Sequence, residues 1–257
     1  HIAKFDENKF GFREKYWYYN ANLWRSFLVQ DFLSCYKFAH KWVTLFYDTP
    51  NMIYLNPVFF LKGNHYLLES LFMLKYKTNF KKYLIQLEKT INDPKFPVND
   101  NIASLCFLYL YNNKLNFHIL EGSFAESEYL IPEVLYKMNQ HSEHLDEHHE
   151  MLFYYKIACI YFGNEKYNES LFYLEKIINN KNLTMREDLM CFARLLYLIL
   201  HYELGNDYYL ENQLKSTYKF LLKMNDLHEV QKEIIRFLKN LNSIYPGDIK
   251  KEFIKMK

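Results

Sequence analysis

Residues 154–178, YYKIACIYFGNEKYNESLFYLEKII, limit this chain more than any other stretch. Apolar residues recur with helical spacing on both sides of Gly163-Asn164-Glu165-Lys166. Two amphipathic helices joined by so short a break fold back on each other as a hairpin. The same outline recurs four more times. Apolar periodicity predicts helices over residues 10–28 with 31–47, 57–76 with 80–91, 101–120 with 124–141, 148–162 with 167–179, and 185–204 with 208–224. The hairpins therefore span 10–47, 57–91, 101–141, 148–179 and 185–224, and a closing helix follows over 227–244. Polar breaks with turn chemistry punctuate the pattern: Asp48-Thr49-Pro50-Asn51 and Asn92-Asp93-Pro94 end the first two hairpins, and Glu121-Gly122-Ser123 and Gly205-Asn206-Asp207 part the helices of the third and fifth.

Composition agrees with an all-α chain. Six Gly and six Pro in 257 residues are too few for a sheet protein that turns every few residues. Half the residues are hydrophobic and 19% are aromatic, ample for a large core. The 32 basic and 30 acidic residues leave a net charge of +2, which creates no general attraction for nucleic acid or an acidic membrane. Cys35, Cys106, Cys159 and Cys191 lie far apart in apolar runs and form no C-x-x-C pair, the pattern of buried free thiols in a reducing compartment. The opening HIAKFDENKF has no secretory signal core, so a cytoplasmic protein is expected. It also lacks an initiating Met, which suggests a piece of a longer protein. The most apolar window, residues 191–200, includes Arg194 and is half the length of a membrane span.

The fourth pair resembles a tetratricopeptide-repeat (TPR) unit. Tyr154, Ile157, Ala158 and Tyr161 take the bulky, apolar, small and aromatic signature positions of its first helix. Tyr167, Ser170, Leu174 and Ile177 take those of the second. Small residues at 158 and 170 let the two helices approach closely. Ser170 and Ile177 replace the usual alanines, and no Pro closes the unit. Phe32, Phe80, Phe124 and Tyr167, the aromatics that open the second helices, recur at intervals of 48, 44 and 43 residues, longer than the TPR period of about 34. The resemblance implies one divergent TPR-like domain over 1–257, a right-handed α-solenoid of five helix pairs plus the closing helix. The same periodicity also admits an irregular all-α bundle. In composition and layout the chain is similar to uncharacterised TPR-like proteins of AT-rich Bacteroidetes genomes, which implies a bacterial protein and brings no activity.

In TPR units, first-helix residues line a concave channel. Carried over, that register gives Trp17, Asn20, Trp24 and Phe27, then His65, Leu68, Phe72 and Lys75, then Tyr109, Asn112, Asn116 and Ile119, and finally Leu152, Tyr155, Cys159 and Phe162. Trp17, Asn20, Trp24, Tyr109, Asn112, Asn116 and Tyr155 are the candidate ligand-binding set. Rings would bury a peptide's side chains and partly exposed Asn amides would bond its backbone. The alternative is that the same rings pack on one another. A Lys/Asn/Arg clamp for a terminal carboxylate is absent from the pattern.

Other chemistry has less support. His141, His144 and His148 share one face if residues 141–148 are helical, but the order H-L-D-E-H is not H-E-x-x-H, and a solvated connector explains the stretch. No metal or cofactor is expected. Nucleophile elbows and phosphate-binding glycine loops are missing, so the chain reads as non-enzymatic. Lys75-Tyr76-Lys77 and Lys81-Lys82-Tyr83 interleave cations and rings as single-strand binders do, yet such Lys pairs are ordinary on helix surfaces. The expected function is a protein- or peptide-binding scaffold of unknown oligomeric state. The second reading is the C-terminal sensor or regulatory part of a larger protein with a DNA-binding or catalytic head.

Overall fold

The computed structural model describes residues 9–180 and 187–223. The expected closing helix 227–244, the basic tail 250–257 and the opening residues 1–8 lie outside the described residues. Among the described residues every long element is an α-helix and none is a strand. No helix among them is long and apolar enough to cross a membrane. By packing, the chain divides between Asp146 and Glu147 into two compact units. The division falls in the polar, histidine-rich connector.

The first unit contains α1 (Phe12–Leu28), α2 (Phe32–Asp48), α3 (Asn51–Leu55), α4 (Pro57–Met73), α5 (Lys77–Ile91), α6 (Asp100–Glu121), α7 (Phe124–Glu128) and α8 (Ile131–Gln140). Packing proceeds stepwise along the chain: α1 on α2, α2 on α4, α4 on α5 and α6, and α5 on α6. Trp42 and Phe46 of α2, Phe60, Leu67 and Leu71 of α4, Phe80 of α5 and Leu115 of α6 are fully buried between these layers. Each such side chain contributes roughly 1.5–3 kcal/mol by leaving water. Gly63 in mid-α4 gives the Trp42 indole room to lie against the helix backbone.

The second unit contains α9 (Glu147–Gly163), α10 (Tyr167–Ile178), α11 (Glu187–Glu203) and α12 (Asp207–Lys223). Helix α10 packs on α9 and α11, and α11 packs on α12. The small residues act as their positions require. Ala158 and Ser170 are both fully buried, and the Ser170 hydroxyl donates to the Ala158 carbonyl at 2.8 Å. A hydroxyl at this close crossing is tolerated because that carbonyl satisfies it. Tyr161 stacks on Tyr173 with ring centres 5.9 Å apart.

One turn design joins the two helices of each hairpin. Gln30, Lys75, Gly122, Glu165 and Gly205 are all left-handed, and the second helix starts two residues after each. At Gln30 the backbone N–H bonds the Phe27 carbonyl, while Asp31 N–H reaches back to Ser26 at 2.9 Å. The Lys75, Glu165 and Gly205 turns repeat that pair of bonds, the Schellman closure of a helix end. The left-handed residues recur at intervals of 45, 47, 43 and 40.

The third hairpin departs from expectation. The helix expected over 124–141 is split into α7 and α8 at Tyr129-Leu130. Pro132 explains the split: it has no N–H for the Glu128 carbonyl and its ring would strike that turn, so it sits in the first turn of a new helix. Residues 141–146 lie outside both flanking helices, and α9 begins only at Glu147. The three histidines therefore do not share a helix face. His141 instead ties α8 to α6, with its Nδ1 3.0 Å from the Ser104 hydroxyl and its ring stacked on Phe107.

Candidate binding face of the first helices

Helix α1 has two unlike sides. Tyr16, Tyr19, Leu23 and Ser26 are buried, while Trp17, Ala21, Trp24 and Leu28 are exposed at 4-3-4 spacing. That spacing forms a continuous stripe along a helix. Trp17 and Trp24 leave about half of their surfaces in solvent, 52% and 48%.

The stripe borders rings of α4. Trp24 meets Tyr66 edge-on at 5.4 Å, and Tyr66 also touches Phe27 and Trp42. Beside it His65 stacks on Tyr109 of α6, with centroids 4.6 Å apart and planes 15° from parallel. The first helices α1, α4 and α6 thus share an aromatic path. Its phenols stay protonated: burial pushes Tyr66 up to about 12, assisted by Tyr109, Glu69 and Tyr16, and burial raises Tyr109 as well.

At the other end of the stripe a cleft of about 270 Å³ opens between α1, α3 and α4. Phe12, Arg13, Tyr16 and Trp17 line it from α1, Met52 from α3, and Asn56 and Phe59 from the start of α4. Tyr16 lies 4.8 Å from Phe59, and burial pushes its phenol up to about 12. Asn56 holds the N-cap position of α4, yet its side chain makes no capping bond.

The candidate set is only partly brought together. Trp17 and Trp24 share the exposed stripe, and half-buried Asn20 lies on the same helix. Tyr109 joins the aromatic path through His65 but is itself buried. Asn112 and Asn116, expected to be partly exposed, are buried at 5% and 8%. Both α4 and α5 pack on α6, which leaves its amides no open face. Neighbouring Asn113, fully buried, donates its Nδ2 to the Tyr109 carbonyl at 2.7 Å, while its Oδ1 finds no partner among the described residues. The Asn ladder is thus part of the core. Tyr155 belongs to the second unit, where burial and the adjacent Cys159 push its phenol up.

Several lining residues escaped the sequence register. Tyr66 is one position from His65, and Met52 and Asn56 fall in what reads as an inter-hairpin loop. Arg13 precedes the first register position. Its only sequence signal is a cation in the first turn of a helix, the end that favours acids.

Other candidates have ordinary partners. Lys77 pairs with Glu121 at 3.8 Å, and Lys82 lies over the Tyr83 ring. All four thiols are held protonated by burial, Cys106 near 12 and Cys35, Cys159 and Cys191 near 11. Among the described residues no three His, Cys, Asp or Glu side chains converge on a metal-sized site. No protein-family model matches the chain, nor does any curated protein or solved structure.

Proposed function

We propose that this chain is a TPR-like helical-repeat protein that binds another protein or a peptide through the first-helix face of its first unit, and performs no chemistry of its own. The observation that carries this reading is the exposed stripe Trp17, Ala21, Trp24 and Leu28 on a helix whose opposite side is already buried. Large rings left half in water cost a monomer burial energy it could have gained, and aromatic anchors of this kind dominate partner binding. The repeated hairpin turn and the stepwise packing within each unit support the repeat architecture. Four free cysteines with no disulfide among the described residues suit a reducing, cytoplasmic setting.

The test is affinity capture from the native organism with wild type and with the Trp17→Ala/Trp24→Ala double variant, read by mass spectrometry. A partner retained by wild type and lost by the variant is expected, since each ring contributes ~1 kcal/mol or more as an interface anchor. Identical partners on both baits would refute the assignment of this face.

A further inference from the structure

We infer that the cleft between α1, α3 and α4 is an anchor site for an acidic peptide segment, one whose bulky apolar side chain enters the cleft beside an aspartate or glutamate that pairs with Arg13. The inference rests on the proposed binding function and names the chemistry of the partner. Three observations lead to it.

The first is the lining. Tyr16, Trp17, Met52 and Phe59 form apolar walls around about 270 Å³, room for one large side chain and too little for a folded element. Trp17 belongs both to this wall and to the exposed stripe, so a segment lying along α1 can place one residue here.

The second is charge. Among the described residues, Arg13 is the one ionised side chain of the lining, and no carboxylate accompanies it there. It is exposed and forms no ion pair among the described residues. The nearest acid in sequence, Glu14, accepts from the Gly11 N–H at 2.8 Å instead. A guanidinium at an apolar rim is built for a planar carboxylate, which it grips with two parallel bonds.

The third is the idle amide. Asn56 stands where Asn commonly caps a helix, yet makes no such bond and lines the cleft instead. Its carboxamide can donate to one backbone group of an extended peptide and accept from another. A cation, an amide and an apolar well together match an acidic residue next to an apolar anchor. A basic segment would meet Arg13 as a like charge, and a wholly apolar one would leave both polar groups desolvated without partners.

The test is selection from a randomised 12-residue peptide library displayed on phage, against the full chain. Peptides pairing Asp or Glu with Phe, Trp, Leu or Met within two positions should be enriched. Arg13→Glu, a change at an exposed site, should weaken them ~10-fold and shift selection towards Lys and Arg beside the same anchors. Phe59→Leu should reduce binding while leaving the acidic preference. Unchanged melting curves confirm that both variants fold. Capped and free C-terminal forms of one selected peptide should bind alike, because the acid is internal. Dependence on a free terminus would overturn the inference. So would enriched peptides sensitive to Trp24→Ala but indifferent to Arg13→Glu, a result that leaves the first-helix face intact as the binding surface. Enrichment of nothing above background would remove both.

Discussion

Replacing Gly63 by alanine sets two physical effects of opposite sign against each other. Gly63 is in the interior of α4, where alanine is favoured by about 1 kcal/mol on backbone entropy alone. Its Cβ, however, would lie 2.8 Å from Trp42 Nε1, 2.9 Å from Cδ1 and 3.0 Å from Cε2. Ordinary contact begins at 3.4 Å, so the indole or the helix must withdraw by about 0.6 Å. Trp42 has nowhere to go. It is fully buried, with Tyr16 edge-on at 5.0 Å and Tyr66 at 6.1 Å. Overpacking of this kind costs roughly 1–3 kcal/mol, and a rigid ring blocked on several sides belongs at the upper end. The net expectation is destabilisation by about 2 kcal/mol, a fall in Tm of roughly 4–8 °C for a chain of this size. Urea unfolding followed by circular dichroism measures it. Trp42→Phe supplies the control: with the smaller ring, Gly63→Ala should be neutral or stabilising, a coupling of about 2 kcal/mol. Stabilisation by Gly63→Ala in the wild-type background, or the same effect in both backgrounds, would refute the argument.

Three further outcomes follow from the same geometry. Ala158→Leu should cost roughly 1–3 kcal/mol in urea unfolding, because it forces α9 and α10 apart where Ser170 donates to the Ala158 carbonyl; an unchanged midpoint would show that the crossing is elsewhere. Glu165→Gly should stabilise by up to about 1 kcal/mol, since Glu165 holds φ 59° without the freedom of glycine, and a loss of stability would contradict the turn assignment. Stability should fall as pH rises above 9: unfolded thiols ionise there, whereas the folded ones retain their protons to about 11, so the unfolded state binds fewer protons and gains with pH. A urea midpoint equal at pH 8 and 10.5 would exclude this linkage.

The helices were legible because their apolar periods and breaks agree. Phe32, Phe124 and Tyr167 are the first residues of α2, α7 and α10, as the pattern requires. Helix α5 starts at Lys77, ahead of Phe80, because Lys75 takes the left-handed turn position that sequence patterns assign to glycine. Non-glycine residues at Gln30, Lys75 and Glu165 concealed a turn that is otherwise uniform. The site was harder to read for a different reason. The register carried over from TPR units assigns Asn112 and Asn116 to a ligand-facing side of α6 but does not say whether a neighbouring helix covers it; both are buried. The cleft draws Met52 and Asn56 from a loop-like segment that no helical register reaches.

Three features around α1 run against what folding alone would select. Trp17 and Trp24 forgo half of a burial worth roughly 1.5–3 kcal/mol for a large apolar side chain. Arg13 lies at the positive end of its helix, where a cation costs about 0.3–1 kcal/mol relative to an acid. Asn56 omits a cap worth about 0.5–2 kcal/mol. Each is common singly. Here Trp17, Arg13 and Asn56 meet at one cleft, with Trp24 two turns along the same stripe. Together the three features forgo several kcal/mol in a fold whose net stability is of order 5–15 kcal/mol. Three polar side chains elsewhere show the alternative: Asp31 caps α2 through the Ser34 N–H, Asn99 caps α6 through the Ile102 N–H, and Ser170 finds a carbonyl. Folding leaves the three features around α1 unexplained. A ligand that buries the rings, pairs the guanidinium and takes up the amide accounts for them at once.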